Sequence, residues 1–241
     1  MSSLRNRRRS LTAGICIGLF LLLIILLKTV DVRPIGPMSS SVGLAALNGA
    51  FKDGIGYHEG LEKVSDLLGK LALLIAAGFA CLGLYQLVTR KSLKKVDADL
   101  FALAGLYAAL VLVYVFFEKC VINYRPLILD ETKGVEPSFP SSHTMLSVVI
   151  FLSAAYEVRR RLKDVTIQKP VCIALAALCA VTVLCRLFSG VHWLTDILGG
   201  LLISAALLSL HRLAVSRFAR KKRAKKAAAK KAPAKRAEVR R

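Results

Sequence analysis

Three short stretches of this chain hold the residue types that handle a phosphate group. They are Lys119-Cys120-Val121-Ile122-Asn123-Tyr124-Arg125-Pro126, Pro140-Ser141-Ser142-His143, and Arg186-Leu187-Phe188-Ser189-Gly190-Val191-His192-Trp193-Leu194-Thr195-Asp196. Together they supply two histidines, a carboxylate, serine and three cations. If a helix starts near Val191, His192 and Asp196 stand at i and i+4 on one face, where the carboxylate accepts a proton from one ring nitrogen. The other nitrogen then carries a lone pair and is a nucleophile or a base. Asp196 leads into the apolar run Ile197-Leu198 and is costly there without such a partner. Alone, the pair also describes a structural lock at a helix end.

In the second stretch, Ser141 suits the N-cap of a helix from about Ser142 to Tyr156. The free N–H groups of that helix start form an anion site, to which Ser141 adds its hydroxyl. His143, in the first turn, is placed to give a proton to a departing oxygen. Alone, Ser-Ser-His describes plain capping. Arg125 and Arg186 can grip phosphate oxygens as forks, whereas Lys119 can support them only as a point charge. Phosphoryl transfer needs positive groups around the equatorial oxygens and an in-line nucleophile and leaving group. In this reading His192 attacks, His143 protonates the leaving oxygen, and Arg125, Arg186, Ser141 and Lys119 hold the phosphate. One such arginine is more simply a headgroup anchor; the joint placement carries the argument.

These residues must be positioned by membrane helices. Of the 241 residues 55% are apolar, more than a soluble core hides. Segments 11–27, 67–89, 99–117, 143–156, 170–185 and 193–210 are dominated by Leu, Ile, Val, Ala, Phe and Gly. Most approach the roughly 20 residues a helix needs to cross hydrocarbon. The expected fold is therefore all-α and polytopic, with six transmembrane helices over 11–215. The fourth segment is the shortest, and needs a snorkelling Arg159 flank or polar residues at its start. The first follows Arg7-Arg8-Arg9 as a secretory signal would, but it ends at Lys28-Thr29-Val30-Asp31 without a small-residue cleavage site. It reads as an uncleaved anchor.

Basic residues set the orientation. They crowd the N-terminal segment 1–10, the stretch Arg90-Lys91 with Lys94-Lys95, the stretch Arg159-Arg160-Arg161 with Lys163 and Lys169, and the tail, giving a net charge of +21. Those regions, and both termini, are expected in the cytoplasm. The loop 31–66 balances Asp31, Asp53, Glu59, Glu62 and Asp66 against Arg33, Lys52 and Lys63, and faces outward with the three chemical stretches. Within it, Val42–Phe51 is too short to span and reads as an interfacial or re-entrant helix, or as a surface loop. The tail 216–241 is low-complexity Lys, Arg and Ala, broken by Pro233, and reads as disordered or partly helical. Starting just beyond a membrane helix, it is expected to meet anionic headgroups rather than nucleic acid. Six cysteines, at 16, 81, 120, 172, 179 and 185, lack paired metal spacings. Most read as small packing residues, although Cys120 and Cys185 both fall at outer helix ends.

The three stretches resemble the signature motifs of the type 2 phosphatidic acid phosphatase family, which also includes vanadium haloperoxidases and glucose-6-phosphatase-like enzymes. The family pattern is Lys-x6-Arg-Pro, Pro-Ser-Gly-His and Ser-Arg-x5-His-x3-Asp, and the resemblance covers about 100–205. It implies phosphate binding by Arg125, Ser141 and Arg186, acid catalysis by His143, a phosphohistidine on His192 and its orientation by Asp196. Lys119 stands six rather than seven positions before Arg125, with Glu118 in the family lysine's register, so a bulge before Pro126 is needed to aim it inward. Ser142 replaces the motif glycine and joins the candidate phosphate-binding residues, while Cys185 replaces the motif serine. The implied function is a cell-membrane lipid phosphatase acting at the outer face without a metal or other cofactor. Its substrate is an isoprenyl diphosphate, phosphatidylglycerophosphate or phosphatidic acid. A phosphotransferase using the same intermediate and a non-catalytic scaffold or transporter are the alternatives. Haloperoxidase chemistry belongs to largely soluble members.

Overall fold

The structure, a computed structural model, describes residues 2–238, with side chains described over 4–220. The chain is all-helical, with no strand among the described residues: α1 (Ser2–Thr29), α2 (Ala45–Ile55), α3 (Glu59–Arg90), α4 (Ala98–Lys119), α5 (Ser142–Arg161), α6 (Val165–Phe188) and α7 (Leu194–Glu238). Among the described residues, five helices (α1, α3, α4, α6 and α7) contain stretches long and apolar enough to cross a membrane. The protein is a multi-pass membrane protein.

Helix α5 differs from these five, and its surroundings explain why. Its 20 residues extend the expected segment 143–156 by nearly two turns, enough at about 1.5 Å per residue to match a hydrocarbon core of about 30 Å. It falls short in apolarity, because it carries Ser142, His143, Thr144, Ser147, Ser153 and Glu157. It also packs against α3, α4, α6 and α7, so it faces protein where the other helices face lipid. Its buried hydroxyls are absorbed locally: Ser147 Oγ donates to His143 O at 2.7 Å and Ser153 Oγ to Ile150 O at 3.1 Å. Met145, Val149, Ile150, Phe151 and Ala154 of α5 form the centre of the main core with Leu103 of α4 and Cys179 of α6. A second cluster joins Phe20 of α1, Phe117 of α4 and Phe139, just before α5. Phe139 stacks on Phe20 with ring centroids 5.6 Å apart.

The segment read as interfacial helix or loop is a helix, α2. Asn48, fully buried, donates from Nδ2 to Gly43 O at 2.9 Å, and its Oδ1 accepts from Thr195 N at 3.3 Å at the start of α7. Helix α1 starts at Ser2 and α7 continues to Glu238, which the strong helix propensity of Ala, Lys and Arg explains. All six cysteines are free, Cys120 and Cys185 included.

At the end of the bundle away from the three chemical stretches, Arg161 of α5 ties several elements together. It lies 3.2 Å from buried Glu157, 3.3 Å from Asp97 and 3.2 Å from Asp99. Arg90 also reaches Asp97, at 3.0 Å. Removing Arg161 leaves three carboxylates facing one another in a partly buried place. Arg161→Leu is therefore expected to destabilise the detergent-solubilised protein by about 3 kcal/mol, read as a lowered thermal midpoint. Arg159→Leu, at an exposed arginine with no ion pair among the described residues, is expected to stay within about 0.5 kcal/mol of wild type.

Candidate active site

In an up-and-down bundle, the end of α4, the start of α5, the end of α6 and the start of α7 meet at one end. There the three stretches meet around a cavity of about 250 Å³ whose lining includes Arg125, Ser142, His143 and His192. Tyr114, Phe117 and Met145 give it an apolar side, and Glu118 and Glu136 bring carboxylates to its wall.

His192 lies not in a helix but in the short turn between α6 and α7, and α7 starts at Leu194. The expected pairing nonetheless forms. Asp196, at the third helical position, folds its carboxylate back so that Oδ2 accepts from Trp193 N at 3.0 Å, one half of a capping box. The same oxygen lies 3.3 Å from His192 Nδ1. A carboxylate only accepts, so the imidazole proton belongs on Nδ1 and the lone pair on Nε2. Nε2 is buried and has no hydrogen-bond partner among the described residues. Burial, reinforced by Arg125 and Arg186, holds the imidazole well below its usual pKa. It is therefore neutral near pH 7, as a nitrogen nucleophile must be.

Helix α5 is pinned to α7 at the same point, since Ser141 N donates to Asp196 O at 3.0 Å. Ser141 is the N-cap, its Oγ accepting from Thr144 N at a long 3.4 Å, and it is fully buried. Gly199 meets the Phe139 ring, which a Cβ at that position would approach to 2.5 Å. The Arg125 loop is tied in too. Trp193 Nε1 donates to Tyr124 O at 2.7 Å, and Arg125 N donates to Glu136 O at 2.9 Å.

Each of the two arginines is held by a carboxylate. Arg125 lies 3.3 Å from Glu136. Arg186, almost wholly buried, donates to Asp66 Oδ1 at 3.0 Å and Ser65 Oγ at 3.1 Å, both on α3. Asp66 Oδ1 is also 3.0 Å from His143 Nε2, so one oxygen joins the two groups. Arg125 Nη1, Arg186 Nε and His143 Nδ1 are buried without partners among the described residues. His143 Nε2 faces the Asp66 carboxylate and so carries the ring proton, which leaves Nδ1 a lone pair. The cavity thus offers unsatisfied Arg125 N–H groups beside the His192 lone pair, an arrangement suited to an anion attacked by nitrogen.

Lys119 is not brought in. It is exposed at the end of α4, and Glu118 takes the inward place on the cavity wall. The helix stays regular to Lys119, so the bulge needed to turn the lysine inward is absent. Asp66 is the residue that sequence reasoning missed. It counted only as one more acid in the first loop, although a carboxylate directly before the apolar stretch 67–89 needs a partner. Among the described residues, no three His, Cys, Asp or Glu side chains gather as a metal site.

A family model, described as PAP2 superfamily, matches residues 99–220, just over half of the chain. The chain belongs to the PAP2 superfamily. The matched region holds all three stretches and the cavity between them. No curated protein matches. Among solved structures, a transmembrane PAP2-type phosphatidylglycerolphosphate phosphatase from Bacillus subtilis superimposes with a TM-score of 0.62 at 19% identity, covering 87% of this chain and 96% of that one. That likeness extends the PAP2 fold beyond the matched region, across most of this chain.

The PAP2 cavity depends on one glycine of its last turn. Gly190 has φ +78, and a Cβ there would stand 1.9 Å from Gly56 O, in the link between α2 and α3. Next to it, Ser189 O accepts from His58 N at 3.0 Å. Gly190→Ala is expected to push these two links apart and shift His192, lowering turnover of a phosphate ester by about 100-fold together with the thermal midpoint. Initial rates and melting curves on the same preparation check both.

Proposed function

We propose that this protein is a lipid phosphatase that works through a phosphohistidine on His192. The supporting observation is the free His192 Nε2 beside an unsatisfied donor of Arg125 in one cavity, with Arg186 joined to cavity-lining His143 through Asp66. In the first step Nε2 attacks phosphorus in line, the P–O bond to the lipid alcohol or phosphate breaks, and His143 donates the proton that the leaving oxygen takes up. In the second, His143 takes a proton from water, which attacks the phosphohistidine and releases inorganic phosphate. Asp196 steadies the charged imidazole between the steps. Arg125, Arg186, Ser141 and Ser142 hold the oxygens, and no role is given to Lys119. The cationic groups do the work a metal would do elsewhere, so the reaction is read as metal-independent.

The apolar side of the cavity and the lipid-facing helices favour a substrate whose chains stay in the bilayer. An isoprenyl diphosphate, phosphatidylglycerophosphate and phosphatidic acid all meet that description. With α5 counted as a sixth crossing, both termini lie on the side of the basic loops, the cytoplasm, and the cavity faces outward.

Phosphate release from a panel of these lipids, in detergent with EDTA present, tests the reading. Wild type should release phosphate, and His192→Ala should lose at least about 1000-fold in rate. Equal release by the variant, or none by either protein, would remove the hydrolase reading. Phosphate transferred to an added alcohol would favour a phosphotransferase. Asp66 Oδ1, between Arg186 and His143, occupies the place where a phosphate oxygen meets both, so the substrate must displace it. Asp66→Asn, which removes the competing charge and keeps the shape, is expected to lower KM for the preferred lipid about threefold. An unchanged KM with a lowered kcat would assign Asp66 to positioning His143 instead.

A further inference from the structure

The end of the bundle opposite His192 holds a larger polar cavity, of about 620 Å³, between α1, α5 and α7. Arg5, Arg7, Arg9, Arg160, Arg217 and Arg220 line it, and no Asp or Glu does. Among the described residues only Arg160 of these six has a carboxylate partner, Asp99 at 3.5 Å. The neighbouring acids are engaged elsewhere, Asp97 and Glu157 by Arg161. Five of these guanidinium groups are exposed and Arg9 is half-buried, so water screens their mutual repulsion, yet together they form a positive groove, and each is a fork suited to phosphate oxygens.

The walls are fixed. Arg9 Nη1 donates to Arg212 O at 3.1 Å, and Ser216 Oγ donates to Asn6 Oδ1 at 2.8 Å, binding α1 to α7. The Tyr156 ring of α5 carries Arg160 at 5.6 Å and Arg212 at 5.7 Å. No imidazole or thiol lines the cavity, so it is built to bind rather than to react. Exposed Leu4, Leu11 and Ile15 on α1 and Phe218 on α7 offer adjoining apolar surface where acyl chains would lie.

We infer that this cavity is a binding site for the headgroup of an anionic phospholipid of the adjoining leaflet, a phosphodiester held by the arginines of α1 and α7 against Tyr156. Basic pockets between membrane helices serve such headgroups. The site is separate from the catalytic cavity and does not rest on the phosphatase reading. Occupancy ties α1, α5 and α7 together and so stabilises the fold.

Thermal unfolding of the full chain in neutral detergent tests this, with phosphatidylglycerol, cardiolipin, phosphatidylcholine or inorganic pyrophosphate added. Both anionic lipids are expected to raise the midpoint by about 5 °C, and phosphatidylcholine to leave it unchanged. The triple variant Arg5→Gln, Arg7→Gln, Arg217→Gln should lose most of that rise. A tail variant with Lys225, Lys226, Lys230 and Lys231 changed to Gln should keep it, as should Arg125→Gln at the catalytic cavity. An undiminished rise in the triple variant, or a loss confined to the tail variant or to Arg125→Gln, overturns the proposal. An equal rise with pyrophosphate overturns the lipid as its source. If the triple variant does not fold, Arg5→Gln and Arg217→Gln alone should each lose part of the rise, and two undiminished single variants overturn the proposal.

Discussion

A carboxylate held inside the end of a membrane bundle must be surrounded by donors, and around Asp196 that requirement organises the structure. Its side chain takes the N–H of Trp193 and faces His192 Nδ1, and its main-chain oxygen takes the N–H of Ser141. The start of α7 favours the negative charge as well. Only Oδ2 is engaged in this way, Oδ1 being buried with no hydrogen-bond partner among the described residues, and the residues around Asp196 also pass the constraint outward. Trp193 carries it to the Arg125 loop through Tyr124 O, and Thr195, next in sequence, carries it to α2 through Asn48. An imidazole presenting its lone pair to a cavity is one result of engaging Oδ2 of that buried carboxylate.

The same logic explains the character of α5. A helix with Ser, Thr, His and Glu along its length would be poorly placed against lipid. Surrounded by four other helices, it meets partners instead, and can carry functional groups at both ends. At one end His143 meets Asp66 of α3 and at the other Arg161 meets Asp97 and Asp99 at the start of α4. The apolar requirement then falls on the outer helices, whose long lipid-facing stretches are what make the chain a membrane protein.

Much of this was legible in one dimension because it depends on spacing. Apolar runs marked every long helix, and the four-residue interval between His192 and Asp196 survived even though the expected helix under His192 is a turn, because a carboxylate at the third helical position reaches back over the N-cap. Lys119 failed for the complementary reason. Its use required an irregularity in α4, and nothing local breaks the helix before Cys120. Asp66 was illegible because its role depends on α3 lying beside α5 and α6, a tertiary fact without a sequence period. The tail reads as disordered or partly helical from its low complexity, and a backbone rich in Ala and Lys continues a helix already begun.

The two connections at the end that holds His192 differ in how they are ordered. The link from α6 to α7 spans only 189–193, so His192 is placed by rigid neighbours on both sides, and Gly190 is needed to close so tight a turn against Gly56. The link from α4 to α5 runs over 120–141 and must bring Arg125 across the mouth of the cavity. Its order comes from side contacts instead: Arg125 N to Glu136 O, Ser138 N to Asn123 O and the indole of Trp193 on Tyr124 O. In the proposed reading, the nucleophile His192 needs a fixed line of attack, whereas Arg125 as a phosphate clamp must admit its ligand and let it go. The short turn and the long, cross-braced loop meet those two demands with the same few helix ends.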